Sequence, residues 1–333
     1  MTVAIGAEAA GSRGGRFETI RQTGWWSVAV AVLRRVPWVV VTVWGVSTIV
    51  FFLARIAGNP VSLLVPPEAT PEQVKVTTHN LGLDASTWEQ YRRFLAHAVR
   101  GDFGDSFTYQ QSALGLVWDR VGATFELALS AILISILLAV PLGLVAAFRP
   151  RSIAARVGSA FATLCQSIPV FWLAPMLVLL FAVKVHIFPS SGKAGLSSWV
   201  LPAVSLALFQ TGLYFRVVRA TGIDFLMHDA SRLVRSKGAS HTRLALQHLM
   251  PNICAPLLTV IGLDLARLLG GSVIVETVFA WPGIGQLLIQ AAQSHDYPVI
   301  QALVVVFAAG VVIVNMGVEA IREAIDPRSR SQA

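Results

Sequence analysis

Charge is what this sequence has least of. Only 13% of its 333 residues are Asp, Glu, Lys or Arg, where a soluble domain carries roughly 25%. Apolar residues make up 55% and gather in runs of about 20, the length a helix needs to cross a bilayer core. A soluble globular protein is thereby excluded. Cysteine is nearly absent too. Cys165 and Cys254, the 2 present, lie inside or at the edge of apolar runs, which excludes a disulfide framework and a thiolate metal site. The 7 histidines are scattered; no His-Glu-x-x-His pair and no Gly-x-Ser-x-Gly elbow occurs. Neither does a phosphate-binding loop, because Ser191-Gly192-Lys193 lacks both the upstream glycine and the following hydroxyl. Residues 1–35 hold no apolar core ahead of Val36, so no cleavable leader is expected. No catalytic residue, metal ligand or cofactor contact is expected on this chain.

What is there is a set of six apolar runs, at residues 36–57, 124–148, 158–185, 199–218, 253–279 and 299–321. They predict an all-α integral membrane protein with six transmembrane helices. The net charge of +8 sits in the short connections between runs and forms no basic stripe interleaved with aromatics. Membrane lipid, not nucleic acid, is therefore the expected surroundings. If the connections alternate sides, residues 1–35, 149–157, 219–252 and the tail from 322, with Arg216, hold 17 Lys/Arg; the opposite side holds 6. Basic connections stay inside, which places both termini in the cytoplasm. The expected organisation is a cytoplasmic segment 1–35, a first span 36–57, an extracytoplasmic region 58–123 of about 65 residues, a five-span core 124–321, and a cytoplasmic tail 322–333. Around Trp25 and Trp26, an interfacial helix and an unstructured tail with an aromatic anchor both remain open.

Within residues 58–123, the segment TWEQYRRFLAHAVR sets Trp88, Tyr91, Phe94, Leu95 and Ala98 on one helical stripe. That predicts an amphipathic helix lying on the membrane or against the spans.

Between the fourth and fifth runs lies DASRLVRSKGASHTRLALQHLMP, from Asp229 to Pro251, within a loop spanning residues 219–252. A polar, helix-forming insert between spans lies at the membrane surface, where a soluble partner can push on it. Residues 230–237 are good helix formers, Asp229 stands at an N-cap position, and Gly238 supplies a stop that tolerates positive φ. Leu233 and Val234 offer an apolar plug; Arg232, Arg235 and Lys237 offer charge.

Three segments in order carry a resemblance: GDFGDSF (Gly101 to Phe107), the basic insert with its Gly238-to-Pro251 spacing, and VIVETVFAWPGIGQLL (Val273 to Leu288) followed by DYPVIQA and AIDPRSR. Together they resemble the oligopeptide/dipeptide/nickel group of ABC importer permeases, over roughly Arg34 to Arg330. The resemblance implies a type I importer permease in the inner membrane of a prokaryote. Its implied partners are a second, homologous permease, two cytoplasmic ATPase subunits that bind the ATP and magnesium, and an extracytoplasmic solute-binding protein. It departs from the general importer loop, which carries Glu-Ala-Ala where this chain has Arg232, Leu233 and Val234. The charged contact with the ATPase then falls to Arg232, Arg235 or Lys237.

The interior holds few polar groups. Asp264 and Arg267 lie three apart in the fifth run and share a helical face; a structural pair that neutralises itself and a pair facing the translocation cavity both remain open. Pro169 and Pro175 predict kinks in the third run, beside Gln166 and Ser167 as pore-lining candidates. Arg55 and Lys184, near span ends, are expected to snorkel. Trp281, Pro282 and Gly283 break the chain between the last two runs and are expected to line the outer mouth of the pathway. The reading is a binding-protein-dependent importer subunit moving short peptides inward, with nickel, glutathione or another small solute as alternative cargo. An intramembrane enzyme and a passive channel are the rivals from other classes.

Overall fold

The computed structural model describes residues 37–325, apart from 54, 57–60, 62–64 and 66–67. The segment 1–35, the two ends of the expected first span and residues 326–333 of the tail lie outside the described residues. Among those described, the elements are helical: α1 (Pro37–Leu53), α2 (Pro71–Asn80), α3 (Thr87–Ala98), α4 (Ala113–Phe148), α5 (Ile153–Ser167), α6 (Val170–Leu177), α7 (Leu196–Met227), α8 (Asp229–Ser236), α9 (Met250–Gly271), α10 (Val273–Val278), α11 (Ile284–Gln293) and α12 (Tyr297–Ile325). One isolated bridge joins Asp105 to Ser112.

Among the described residues, four helices are long and apolar enough to cross a membrane: α4, α7, the continuous run His241–Gly270 that contains α9, and Tyr297–Val318 of α12. The α5–α6 pair, extended by a π-helical stretch Val178–Lys184, makes a fifth if it counts as one span. Of the two kinks expected in the run 158–185, the one at Pro169 is a full break, while Pro175 stays inside α6. The two helices meet at 100°, because Pro169 bars the helical region to the residue before it and Ile168 takes φ −89°, ψ 118°. Helix α4 starts at Ala113, ahead of the expected Thr124, with the Ser112 hydroxyl accepting from Gly115 N. The last part of the region assigned to an external loop thus belongs to a membrane-length helix. At the other end, α9 stops at Gly271, short of residue 279.

The core of the bundle is α4 against α7. Ala128, Ala131, Ser135, Ala139, Gly143 and Ala146 on α4 are buried, a run of small residues that lets two backbones approach closely inside a membrane. Ser135 Oγ donates to Ala207 O across the contact at 2.8 Å. The approach has reached its limit: a methyl group added at Gly143 meets Val218 Cγ1 at 2.7 Å, and one at Gly222 meets Ala147 Cβ at 2.6 Å.

Of the two placements open to the amphipathic stripe, the structure takes the second. Tyr91 and Phe94 of α3 pack on Phe51 of α1, Leu95 and Ala98 join them, and Trp88 stays exposed. Thr48 Oγ1 and Tyr91 Oη share a hydrogen bond of 2.7 Å. Arg55 is held against α3: its Nε and Nη2 donate to Gln90 Oε1 at 3.0 and 2.8 Å, and its guanidinium lies 3.3 Å from the Phe51 ring centroid.

Candidate functional site

The basic insert folds as α8, a turn at Gly238, a short helix His241–Arg243 and a π-helical stretch Leu244–Leu249 leading into α9. The wide turn precedes Pro251, whose missing N–H and bulky ring disturb a regular α-helical ladder. Asp229 is not the cap expected of it. It is the first helical residue, behind an N-cap at His228 with no side-chain cap bond, and its carboxylate lies 3.6 Å from Arg232 Nη1. Gly238 performs as expected, with φ +81° and its N–H donating to Arg235 O at 2.9 Å. Ser231, wholly buried, ties α8 to the end of α7 through Leu226 O and His228 O. Arg232, Leu233, Arg235 and Lys237 are exposed, while Val234 is half-buried. Of the two apolar candidates, Leu233 is the more exposed.

A second grouping lies inside the bundle. The break at Ile168-Pro169 opens a cleft of about 260 Å³, in which Gln166, Ser167, Phe209, Gln210 and Arg267 meet. Three of the interior candidates thus come together at one place. Asp264 stands behind them, buried, with its Oδ1 3.1 Å from Arg267 Nη2. The guanidinium is half-exposed and stacks on the Phe209 ring, 4.5 Å from its centroid. Tyr214 approaches the same carboxylate but misses hydrogen-bonding geometry. Tyr214 Oη, Asp264 Oδ2 and Gln210 Oε1 are all buried without a hydrogen-bond partner. Phe209, Gln210 and Tyr214 escaped sequence reasoning, since a lone polar residue on an apolar helix carries no local signal of what it faces.

The third grouping is the break after α10. Trp281 is fully buried in the chain's own core, its Nε1 donating to Ala123 O at 2.9 Å; Gly283 is buried and Pro282 partly so. What holds this break is Glu276, to which sequence reasoning assigned no role. Its Oε1 accepts from Thr124 Oγ1 and Ser272 Oγ, both at 2.8 Å, and its Oε2 accepts from Gly285 N and Gln286 N at 2.7 and 3.1 Å. Thr124 Oγ1 in turn accepts from Ile284 N at 2.9 Å. One carboxylate therefore caps the first turn of α11 and ties it to α4. Glycine is required on both sides of Ile284, because added methyl groups at Gly283 and Gly285 would lie 2.3 and 2.9 Å from Glu276 Oε2.

A parallel arrangement fixes the GDFGDSF segment. Asp296, 1% exposed, accepts from Ser106 Oγ at 2.5 Å and from Phe107 N and Thr108 N at 3.2 Å. Within the segment, Asp102 accepts from Gly104 N and pairs with His97 Nδ1 at 2.8 Å. The histidine hydrogen bond, with the glycine N–H behind it, holds the Asp102 carboxyl below its ordinary range.

The model of the family described as "Binding-protein-dependent transport system inner membrane component" matches residues 139–331. A companion N-terminal family of transport-system membrane components matches residues 29–128. The chain is 31% identical over 300 residues to the glutathione transport system permease protein GsiC of Escherichia coli (strain K12), covering 90% of this chain and 98% of that one. The counterpart in Salmonella paratyphi A is 32% identical over the same shares. Among solved structures, an inward-facing form of the MetNI methionine ABC transporter superposes with TM-score 0.52 at 19% identity, covering 63% of this chain and 96% of that one. A second crystal form gives 0.50 at 20% identity.

Proposed function

We propose the following for a chain that belongs to the inner-membrane components of binding-protein-dependent transport systems, and is thus an ABC importer permease rather than an enzyme. It carries short peptides inward, glutathione being the tripeptide that its relatives' names point to. Two ATPase subunits on the cytoplasmic side close on ATP and draw α8 with them. The bundle then switches the central cleft from one face of the membrane to the other. A second permease chain completes the pathway, and a solute-binding protein delivers cargo at the α2–α3 side. Nickel import within the same family is the alternative, and the histidine-poor cleft does not favour it.

The observation that carries this reading is α8 itself. It is a short, cationic helix with an exposed leucine, held at its root by buried Ser231 between two membrane-length helices. Such an element has no use in a passive channel, which needs no cytoplasmic lever. Purification of the tagged chain from its native membrane is expected to bring down an ATPase with a Gly-x4-Gly-Lys-Ser/Thr loop. Recovery of the chain alone, in conditions that preserve membrane complexes, counts against the importer mechanism.

The orientation is testable separately. With Cys165 and Cys254 replaced, a cysteine at Ser86 is expected to react with an impermeant maleimide in intact spheroplasts. One at Ser240 should react only after permeabilisation. The reverse pattern overturns the inside-positive assignment of α8.

A further inference from the structure

The cleft at the α5–α6 break brings together a guanidinium, an uncapped helix start and an unpaired amide oxygen. We infer that it binds the terminal carboxylate of a short peptide together with the amide N–H next to it, an inference that rests on the peptide-import reading. Two features select an anion. The Arg267 guanidinium presents itself to the cleft half-exposed, positioned by stacking on Phe209 and by its bond to Asp264. Only part of its five-donor fork is occupied by that carboxylate, so donors remain for a second one. The other feature is the first turn of α6, which starts at the cleft wall behind Pro169 with no side-chain cap. A broken helix in a membrane presents its N-terminal N–H groups and positive dipole end to whatever occupies the break.

The third feature selects the neighbouring group. Gln210 is 2% exposed and lines the same cleft, and its Oε1 has no hydrogen-bond partner. A buried amide oxygen left unpaired keeps its desolvation penalty, and a donor from the ligand removes it. A peptide bond adjoining a terminal carboxylate supplies such a donor at short range. The remaining walls, Ile168, Val170, Leu206 and Leu268, are apolar and indifferent to side-chain identity. The site thus reads the end of a peptide and leaves its sequence unread.

The test uses the complete transporter in proteoliposomes, with both native cysteines replaced by alanine and Ser167→Cys introduced as a reporter at the cleft. Alkylation of that cysteine is followed by mass spectrometry with trialanine or trialanine amide present, alongside uptake of both. Trialanine is expected to slow alkylation at least fivefold, and the amide to leave it unchanged. Protection should disappear in Arg267→Gln and in the neutral pair Asp264→Asn/Arg267→Gln, the second of which leaves no lone buried charge should the first assemble poorly. Gln210→Leu should weaken protection severalfold. Equal protection by acid and amide, protection that survives loss of Arg267, or trialanine uptake without protection each overturn the inference and leave the import reading standing. Absence of both uptake and protection, with the solute-binding protein also failing to bind trialanine, defeats the peptide reading and the inference together.

Discussion

Glu276→Ala is expected to remove most of the properly assembled permease. The substitution deprives four donors of their acceptor at once: the Thr124 and Ser272 hydroxyls and the N–H groups of Gly285 and Gln286. Glu276 has no exposed surface, so water cannot replace the lost oxygens without opening the fold. Each orphaned donor costs about 1–3 kcal/mol, and the two hydroxyls relieve part of this by rotating. A net loss on the order of 3–5 kcal/mol is expected, a large share of a typical stability of about 5–15 kcal/mol. In detergent, the melting temperature should fall by roughly 10 °C. Glu276→Gln is the informative control. Its carbonyl oxygen still serves the backbone N–H pair, and its NH2 donates to hydroxyls that accept as readily as they donate. It should lie within about 2 kcal/mol of the parent. If the alanine variant melts with the parent protein, the carboxylate does not hold the break between α10 and α11.

Inverting the charge on α8 is expected to abolish coupled uptake with little effect on folding. Arg235 and Lys237 are exposed, and exposed substitutions usually shift stability by no more than about 0.5 kcal/mol. A charge pair formed in an interface is different: removing one partner costs about 2–5 kcal/mol. Arg235→Glu/Lys237→Glu should therefore lower transport at least tenfold, while the chain inserts and purifies in normal amounts. Gly238→Val probes the same lever through the backbone alone. An added methyl group there meets nothing within 4 Å, yet φ +81° is a conformation that a β-branched residue resists. The strain should re-aim α8 and lower uptake without disturbing the core. Normal uptake in both variants would show that α8 is a passive loop and remove the central support for an ATP-driven mechanism.

Membrane class, the basic insert, the glycine stop at 238 and the Asp264–Arg267 pair were all legible in the sequence. The reason is locality: hydrophobic run length, charge between runs and i,i+3 spacing involve residues within a few turns of each other. The third run shows where locality ceases to suffice. Pro169 announces a break in the helix, but the packing of α5 and α6 against α7, and of α6 against α10, sets it as a 100° corner beside a cleft. The carboxylates were less legible still. Glu276 meets Thr124 across 152 residues of chain and Asp296 meets Ser106 across 190, so no window of sequence contains both members of either pair. Their roles follow from burial: a carboxylate without access to water must find every acceptor bond it makes inside the fold. Which backbone N–H groups supply those bonds is set by where α4, α10 and α11 come together, and that was decided by the tertiary structure alone.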